Sequence, residues 1–193
     1  MHKIILASKS KVRKKILDEN NIECKVFPSN ADEELVKKSL IKENLSPELI
    51  SKNLAELKAN KVSLKFNKEI VIGADSVIDM NGELISKPKN REEALKILKK
   101  LNGKTHNLIS SVCISKNGSM IWHYTDKASL TMKNMTETEL QKYLSKITDE
   151  ALYAYNVYQI EGEGKSLFLK IKGDEDTIMG LPIKKIKNYL EKL

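Results

Sequence analysis

Cysteine, arginine, repeats and long apolar runs are all scarce in this chain, and each shortage narrows what it can be. The two cysteines, Cys24 and Cys113, stand far apart with no Cys-x-x-Cys or Cys/His spacing. No zinc site or disulfide framework is legible, and two reduced, buried thiols are expected. The longest apolar runs, such as residues 4–7 and 70–74, are far too short to cross a bilayer or to form a secretory h-region. The expectation is a cytoplasmic protein with no membrane partner. No internal repeat, low-complexity tract or linker divides the 193 residues, which read as one domain over 1–193. Arginine occurs only as Arg13 and Arg91, so the formal net charge of +8 is almost wholly lysine. The lysines are dispersed and not interleaved with aromatics. The charge therefore reads first as solvated surface, second as affinity for a small phosphorylated ligand, and third as a nucleic-acid surface.

What is present is enough for a full core, with 40% hydrophobic residues. Apolar, β-rich runs predict strands at 3–7, 22–27, 70–74, 83–86, 106–115, 120–124, 128–132 and 166–171. Helical spacing predicts helices at 11–20, 47–64, 90–101, 136–146 and 183–193. Ser10, Asn90 and Thr136 are placed as N-caps, Thr136 with Glu139 three residues on, and Pro47 follows Ser46 as a helix start. Asn81-Gly82 and Asn117-Gly118 are tight-turn signals. The stretch ALYAYNVYQIEGEG, residues 151–164, reads as a folded-over loop. Strands alternate with helices early and cluster in the middle, which predicts an α/β protein with a mixed sheet flanked by helices.

Three places carry chemistry. The stretch EIVIGADSVIDMNGELISKP, residues 69–88, brings a buried strand to one carboxylate, Asp75, and then returns through a hairpin to Lys87. An acid at a strand end with a lysine delivered beside it suits phosphate chemistry. The strand–Ser-x-Ser–helix unit at the N-terminus leaves backbone N–H groups at a helix start, with Lys9, Lys11 and Arg13 nearby. Such a terminus attracts phosphate, although an ordinary capped helix has the same sequence. Asp32, Glu33 and Glu34 open a further helix, where acids complement the dipole or hold a divalent cation. In helix 47–64, the residues Leu49, Ile50, Leu54, Leu57 and Val62 make the expected buried face. Lys58 is one lysine among several there.

LASKSKVRKKIL, NADEE, LAELKA, GADSVI, SKP, GKTHNLIS, VYQIEGEG and GDEDTIMGLPI, in that order, resemble one family, the Maf proteins, nucleoside triphosphate pyrophosphatases once described as septum-formation inhibitors. LASKSKVRKKIL is similar to the family's Leu-Ala-Ser-x-Ser-Pro-Arg-Arg-x-x-Leu-Leu at Ser8, Ser10 and Arg13, with Lys11 and Val12 in place of Pro and the first Arg. NADEE matches its Asp-Glu pair at Asp32 and Glu33, and LAELKA its Leu-Ala-x-x-Lys-Ala at Lys58. GADSVI matches Ala-Asp-Thr-Val, with Ser76 for Thr. SKP matches Gly-Lys-Pro at Lys87, and GKTHNLIS matches Gly-x-x-His at His106. VYQIEGEG stands where many members have Ala-Tyr-x-Ile-Gln-Gly, with Glu161 for Gln and residues such as Tyr155 and Asn156 for the usual lead-in. GDEDTIMGLPI matches the closing Gly-Leu-Pro block.

The resemblance implies a Maf/ITPase-like α/β fold, a mixed twisted sheet flanked by helices in two lobes around a deep cleft, with association into a homodimer. It implies cleavage of a nucleoside triphosphate to monophosphate and pyrophosphate with a divalent metal, Mg2+, Mn2+ or Co2+, in the house-cleaning of non-standard nucleotides. Asp75 is then the catalytic base. Ser8, Ser10, Arg13, Lys58 and Lys87 contact the substrate, and Glu33, Asp75 and Glu161 are the metal ligands. His106 is expected to be a structural hydrogen-bonding residue, and Tyr158 and Gln159 to shape the base pocket. The alternative, motivated by the +8 charge, is a basic regulatory or nucleic-acid-binding protein of cell division with vestigial activity. No recognisable nucleic-acid motif supports it.

Overall fold

The computed structural model describes residues 3–154 and 157–193. Its strands are β1 Ile4–Leu6, β2 Cys24–Val26, β3 Ile70–Met80, β4 Glu83–Ile85, β5 Thr105–Lys116, β6 Ser119–Met132 and β7 Phe168–Lys172. Its helices are α1 Lys11–Glu19, α2 Glu33–Lys42, α3 Pro47–Ser63, α4 Arg91–Leu101, α5 Glu137–Lys146, α6 Asp149–Ala154, α7 Glu175–Ile178 and α8 Ile183–Leu190. The strands form one seven-stranded sheet in the order β2-β1-β3-β5-β6-β7, with β4 paired to β3 off that path. β1 runs parallel to β2 and β3, and the other pairs are antiparallel. The mixed sheet flanked by helices is therefore the architecture expected from the sequence.

β3 is apolar almost throughout because both of its faces are covered. Successive side chains point to opposite faces. Ile70, Ile72 and Ala74 pack with Leu17 of α1 and Ile183 and Ile186 of α8. Val71 packs with Val62 of α3 on the other face. Gly73 shares that second face, and α3 lies directly on it. A Cβ built at Gly73 would stand 2.3 Å from the Ala55 carbonyl oxygen and 2.7 Å from the Ala59 nitrogen. Those neighbours are helix backbone and cannot swing aside, so the helix–strand approach requires glycine. Gly73→Ala is expected to lower stability by about 2–3 kcal/mol, or roughly 4–12 °C in Tm, and to lower activity by moving α3. A thermal melt with wild-type Tm and turnover would overturn that account.

The local signals hold. Ser10, Ser46, Asn90 and Thr136 cap their helices with side-chain oxygens, and Thr136 with Glu139 forms a full capping box. Asn81-Gly82 and Asn117-Gly118 adopt positive φ at both residues, as a hairpin turn of that type requires. Both cysteines are free thiols, Cys113 buried and Cys24 half-buried.

Five local expectations change. β3 runs on to Met80, so Asp75 stands in mid-strand rather than at a strand end. β6 is one strand where two were expected, because Thr125, Asp126 and Lys127 keep their pairing to Ser111, Ser110 and Ile109 despite their polarity. The 151–164 stretch is not all loop: α6 runs into it, and a 3-10 turn at Glu163–Leu167 closes it. Tyr155 and Asn156 of that stretch lie outside the described residues. Leu49 is 47% exposed. The buried stripe of α3 is Ile50, Ser51, Leu54, Ala55, Lys58, Ala59, Val62 and Ser63, chosen by its approach to Gly73 rather than by hydrophobicity. The last helix ends at Leu190, leaving Leu193 exposed beyond it.

One topological feature positions the site. β5 covers one edge of β3 continuously from Val71 to Asp79. The other edge is shared: β1 pairs with it at Ile70–Ile72, and β4 at Ile78–Met80. Between them β3 has no strand partner on that edge. β1 has turned away into α1, and β4 has not yet begun.

Candidate active site

The gap in the β3 edge exposes the Ala74 carbonyl, and two cations satisfy it. Arg13 donates from Nη1 at 2.9 Å and Lys58 from Nζ at 3.3 Å. They arrive from opposite faces of the sheet, on α1 and α3. An unpaired buried carbonyl is costly, so this bond set ties both helices to the strand at the point where the chain carries Asp75.

Lys58 is the centre of the site. Its Nζ lies 2.8 Å from Asp75 Oδ1 and 2.8 Å from Glu33 Oε2. The lysine side chain is only 7% exposed, Asp75 12% and Glu33 45%. Glu33 arrives in the first turn of α2, whose Asp32 caps the helix by accepting from Leu35 N. Ser51 Oγ donates to the Asp75 carbonyl at 3.1 Å, which fixes the backbone under the carboxylate. Two carboxylates thus converge on one cation, Asp75 from a largely dry place and Glu33 from the half-exposed rim.

Arg13 is braced on three segments. Nε donates to Gly180 O at 2.9 Å, Nη1 to Ser8 Oγ at 3.2 Å as well as to Ala74 O, and Nη2 to Ser76 Oγ at 3.1 Å. Ser76 and Ser110 hydroxyls lie 2.8 Å apart, Ser110 Oγ donates to Thr177 O at 2.7 Å, and Thr177 Oγ1 donates to Asp126 Oδ2 at 2.6 Å. Most of the guanidinium fork is therefore spent on holding β3, the loop after β1 and the Gly180 turn together. Ser8 Oγ accepts from Ser10 N, and Ser10 Oγ accepts from Arg13 N, both at 3.3 Å. The serines shape the helix start through their side chains, leaving a loop of backbone donors beside the guanidinium.

All eight site residues expected from the sequence, Ser8, Ser10, Arg13, Glu33, Lys58, Asp75, Lys87 and Glu161, line one cleft of about 670 Å³. Lys87 reaches it from the segment after β4. Although Lys87 keeps an exposed surface, crowding within the cleft strips hydration from its ammonium and pushes its pKa down, and the Arg13 charge pushes the same way. Glu161 reaches the cleft from the 157–161 segment, with Oε1 accepting from Gln159 Nε2 at 3.2 Å. Among the described residues, no three His, Cys, Asp or Glu side chains gather as a ready-made metal cage.

The far part of the cleft is apolar. Ile78, Ile85 and Leu108 meet there, since Ile78 pairs with both others across the sheet. Tyr158, Ile160 and Ile178 join them from the same core cluster. Sequence reading expects Tyr158 and Gln159 at the base pocket, and both line the cleft, but it does not single out Ser110, Gly180, Ile78, Ile85 or Leu108. Lys58 is singled out by the LAELKA motif and not by spacing, although it does fall at i+3 and i+4 from Ala55 and Leu54, on the buried stripe. Ser110 and Gly180 lie inside quoted motifs, but nothing local marks their roles, because their partners lie far away in sequence.

Fold and cleft together define an α/β protein with a charged end and an apolar end in one pocket. The Ham1 protein of Staphylococcus aureus shares the fold, with TM-score 0.54 and 16% identity over 98% of both chains. A HAM1 protein from Coxiella burnetii gives TM-score 0.53 and 10% identity over the full length of both. The family model described as Maf-like protein matches residues 3–193, and this chain belongs to that family. A relative from Pelagibacter ubique named nucleoside triphosphate pyrophosphatase is 74% identical, over 97% of this chain and 96% of its own. One from Rhizobium etli named 7-methyl-GTP pyrophosphatase is 35% identical, over 99% and 96%.

Proposed function

We propose that this chain hydrolyses nucleoside triphosphates between the α- and β-phosphates, releasing a monophosphate and pyrophosphate, as a cytoplasmic house-cleaning enzyme. The observation that carries this reading is Lys58 held between Glu33 and Asp75 at the charged end of a cleft whose other end is apolar. A nucleoside triphosphate has the same polarity, with roughly four negative charges at one end and a flat ring at the other. Relatives named for this activity support the assignment.

The roles follow from position. The loop from Ser8 to Arg13 offers backbone N–H groups at the start of α1, with the Arg13 charge behind them, to the phosphates. Lys58 and Lys87 supply ammonium groups. Asp75 takes a proton from the water that attacks the α-phosphorus, acting as general base. Its Oδ1 is held by Lys58, which orients the carboxylate. The leaving pyrophosphate keeps its charge against Lys58, Lys87 and Arg13.

The pair Glu33 and Asp75 suits a hard divalent cation, since each carboxylate has a second oxygen besides the one paired with Lys58 and phosphate oxygens complete such shells. Bound there, Mg2+, Mn2+ or Co2+ would neutralise phosphate charge and acidify a water. Glu161, on the 157–161 segment of the same cleft, would have to move in to serve as a third carboxylate, since among the described residues no three such side chains stand together. The chain works as a single domain and associates as a homodimer. Among the described residues no helix is long and apolar enough to cross a membrane.

A pyrophosphate-release screen over standard and 7-methylated nucleoside triphosphates, with each of the three metals, tests the reading. Release from at least one nucleotide, with the matching monophosphate as co-product, is expected. Release of orthophosphate alone would overturn the bond assignment, and inertness towards all would overturn the activity.

Lys87 adds a pH signature. Because its pKa lies below the ordinary lysine value, it loses its charge before an exposed lysine does. KM is expected to rise on the alkaline side, starting below pH 10.5. Lys87→Arg, whose guanidinium stays charged throughout that range, is expected to remove that rise. An identical alkaline limb in the variant would exclude Lys87 as its source.

A further inference from the structure

His106 is a poor choice as a core filler. It is 1% exposed on β5, and its Nδ1 has no hydrogen-bond partner. A leucine would fill similar space without leaving a buried nitrogen unsatisfied. What the imidazole adds is one bond: Nε2 lies 2.8 Å from the Tyr158 hydroxyl. Burial pushes the His106 pKa down to about 4, so the ring is neutral and carries one N–H. Nε2 and the Tyr158 hydroxyl share one hydrogen bond, whichever of the two donates.

Tyr158 is a wall residue of the cleft, at the apolar end with Ile78, Ile85, Leu108 and Ile160. Its segment is braced at three points. Phe168 packs edge-on against the Tyr158 ring at 4.8 Å between centroids. Tyr143 Oη donates to Val157 O at 3.1 Å. Gly164 lies against the Gln159 backbone so closely that a Cβ there would stand 2.6 Å from its nitrogen. The His106 bond differs from these in being a polar bond to a side chain that itself lines the cleft.

The bond is also remote from the phosphate end. Ser111 of β5 lies opposite Asp75. His106 is five residues further along that strand, or about 17 Å at 3.4 Å per residue. A change there acts on what the apolar end holds, not on the attacked phosphorus.

We propose that His106 is a positioning residue for substrate binding: it holds Tyr158 as the wall against which the nucleobase lies. The inference rests on the pyrophosphatase reading. It separates His106 from its neighbours in the core by a measurable criterion, an effect on KM transmitted through Tyr158.

The test uses the full chain and the best nucleotide from the screen. A glutamine amide nitrogen reaches the Nε2 position of histidine, whereas an asparagine amide falls at Nδ1 and cannot reach Tyr158. His106→Asn and Tyr158→Phe are each expected to raise KM about fivefold to tenfold, the weight of one neutral hydrogen bond, with kcat changed less than about twofold. His106→Gln is expected to restore KM, and the His106→Asn/Tyr158→Phe double variant to be no worse than either single one. Tyr158→Phe removes the bond without burying a new polar group, so it remains informative if His106→Asn fails to fold. An unmoved KM in Tyr158→Phe, additive effects in the double variant, or a fall in kcat alone would overturn the inference while leaving the activity standing. A wild-type chain inert to every nucleotide would instead overturn the functional reading, and this inference with it.

Discussion

Asp75→Asn is expected to abolish measurable pyrophosphate release, lowering kcat by about a hundredfold to ten-thousandfold, the range for loss of a general base, while the fold survives. The amide matches the carboxylate in size but cannot take a proton from water. The contacts that hold this part of β3 are independent of that side chain. Ser51 Oγ bonds the residue 75 carbonyl, and Arg13 and Lys58 bond the Ala74 carbonyl. Lys58 keeps Glu33 as a partner. A coupled assay for pyrophosphate, run beside a thermal melt, separates the two effects. Near-wild-type turnover would remove Asp75 from the mechanism, and a collapsed melt would show that the carboxylate is chiefly structural.

Lys58→Met carries the second large effect, on stability as well as rate. The thioether chain fills similar volume but leaves Asp75 and Glu33 facing the same space with no cation between them. Breaking a buried ion pair by removing one partner costs about 3–5 kcal/mol. Glu33 is 45% exposed and largely screened by water, so the lower end, about 3 kcal/mol, is expected, almost all from Asp75. That is roughly 6–12 °C in Tm for a chain of this size. Triphosphate affinity should fall with it, since an ammonium leaves the phosphate end. Calorimetric titration with the monophosphate product provides a control, because it carries less charge and should lose less. Equal losses for both ligands would place Lys58 outside the triphosphate site.

The two arginines show how function and architecture share residues in a lysine-rich chain. Arg91 donates to Leu144 O and Ile147 O, each at 2.7 Å, and pairs with Asp149, so it ties α4 to the end of α5. Arg13 does the equivalent for α1, β3 and the Gly180 turn. Both positions need several donors in a rigid plane, which an ammonium cannot supply.

Most elements were legible because their signals are local. Caps at Ser10, Asn90 and Thr136, hairpins at Asn81-Gly82 and Asn117-Gly118, and the apolar face of α4 each depend on residues within one or two turns. The errors arose where tertiary packing overrode a local pattern. Leu49 looked buried by spacing, yet α3 turns a stripe containing Ala55 and Ala59 to Gly73, because only small residues allow that approach. Thr125, Asp126 and Lys127 looked like a break, yet the β5 ladder carries β6 through them.

By itself the sequence determined the class of fold, the caps at Ser10, Asn90 and Thr136, both Asn-Gly hairpins, and, through the resemblance to Maf proteins, which charged residues to gather. Those properties depend on neighbours along the chain or on motifs readable in order. Only the tertiary structure decided where these residues meet. The cleft exists because β1 leaves the edge of β3 before β4 joins it, a gap that no single segment encodes. Lys58 stands between Glu33 and Asp75 because α3 can lie on Gly73. His106 reaches Tyr158 across 52 positions of sequence, a contact made by the packing of the sheet against the segment that walls the cleft.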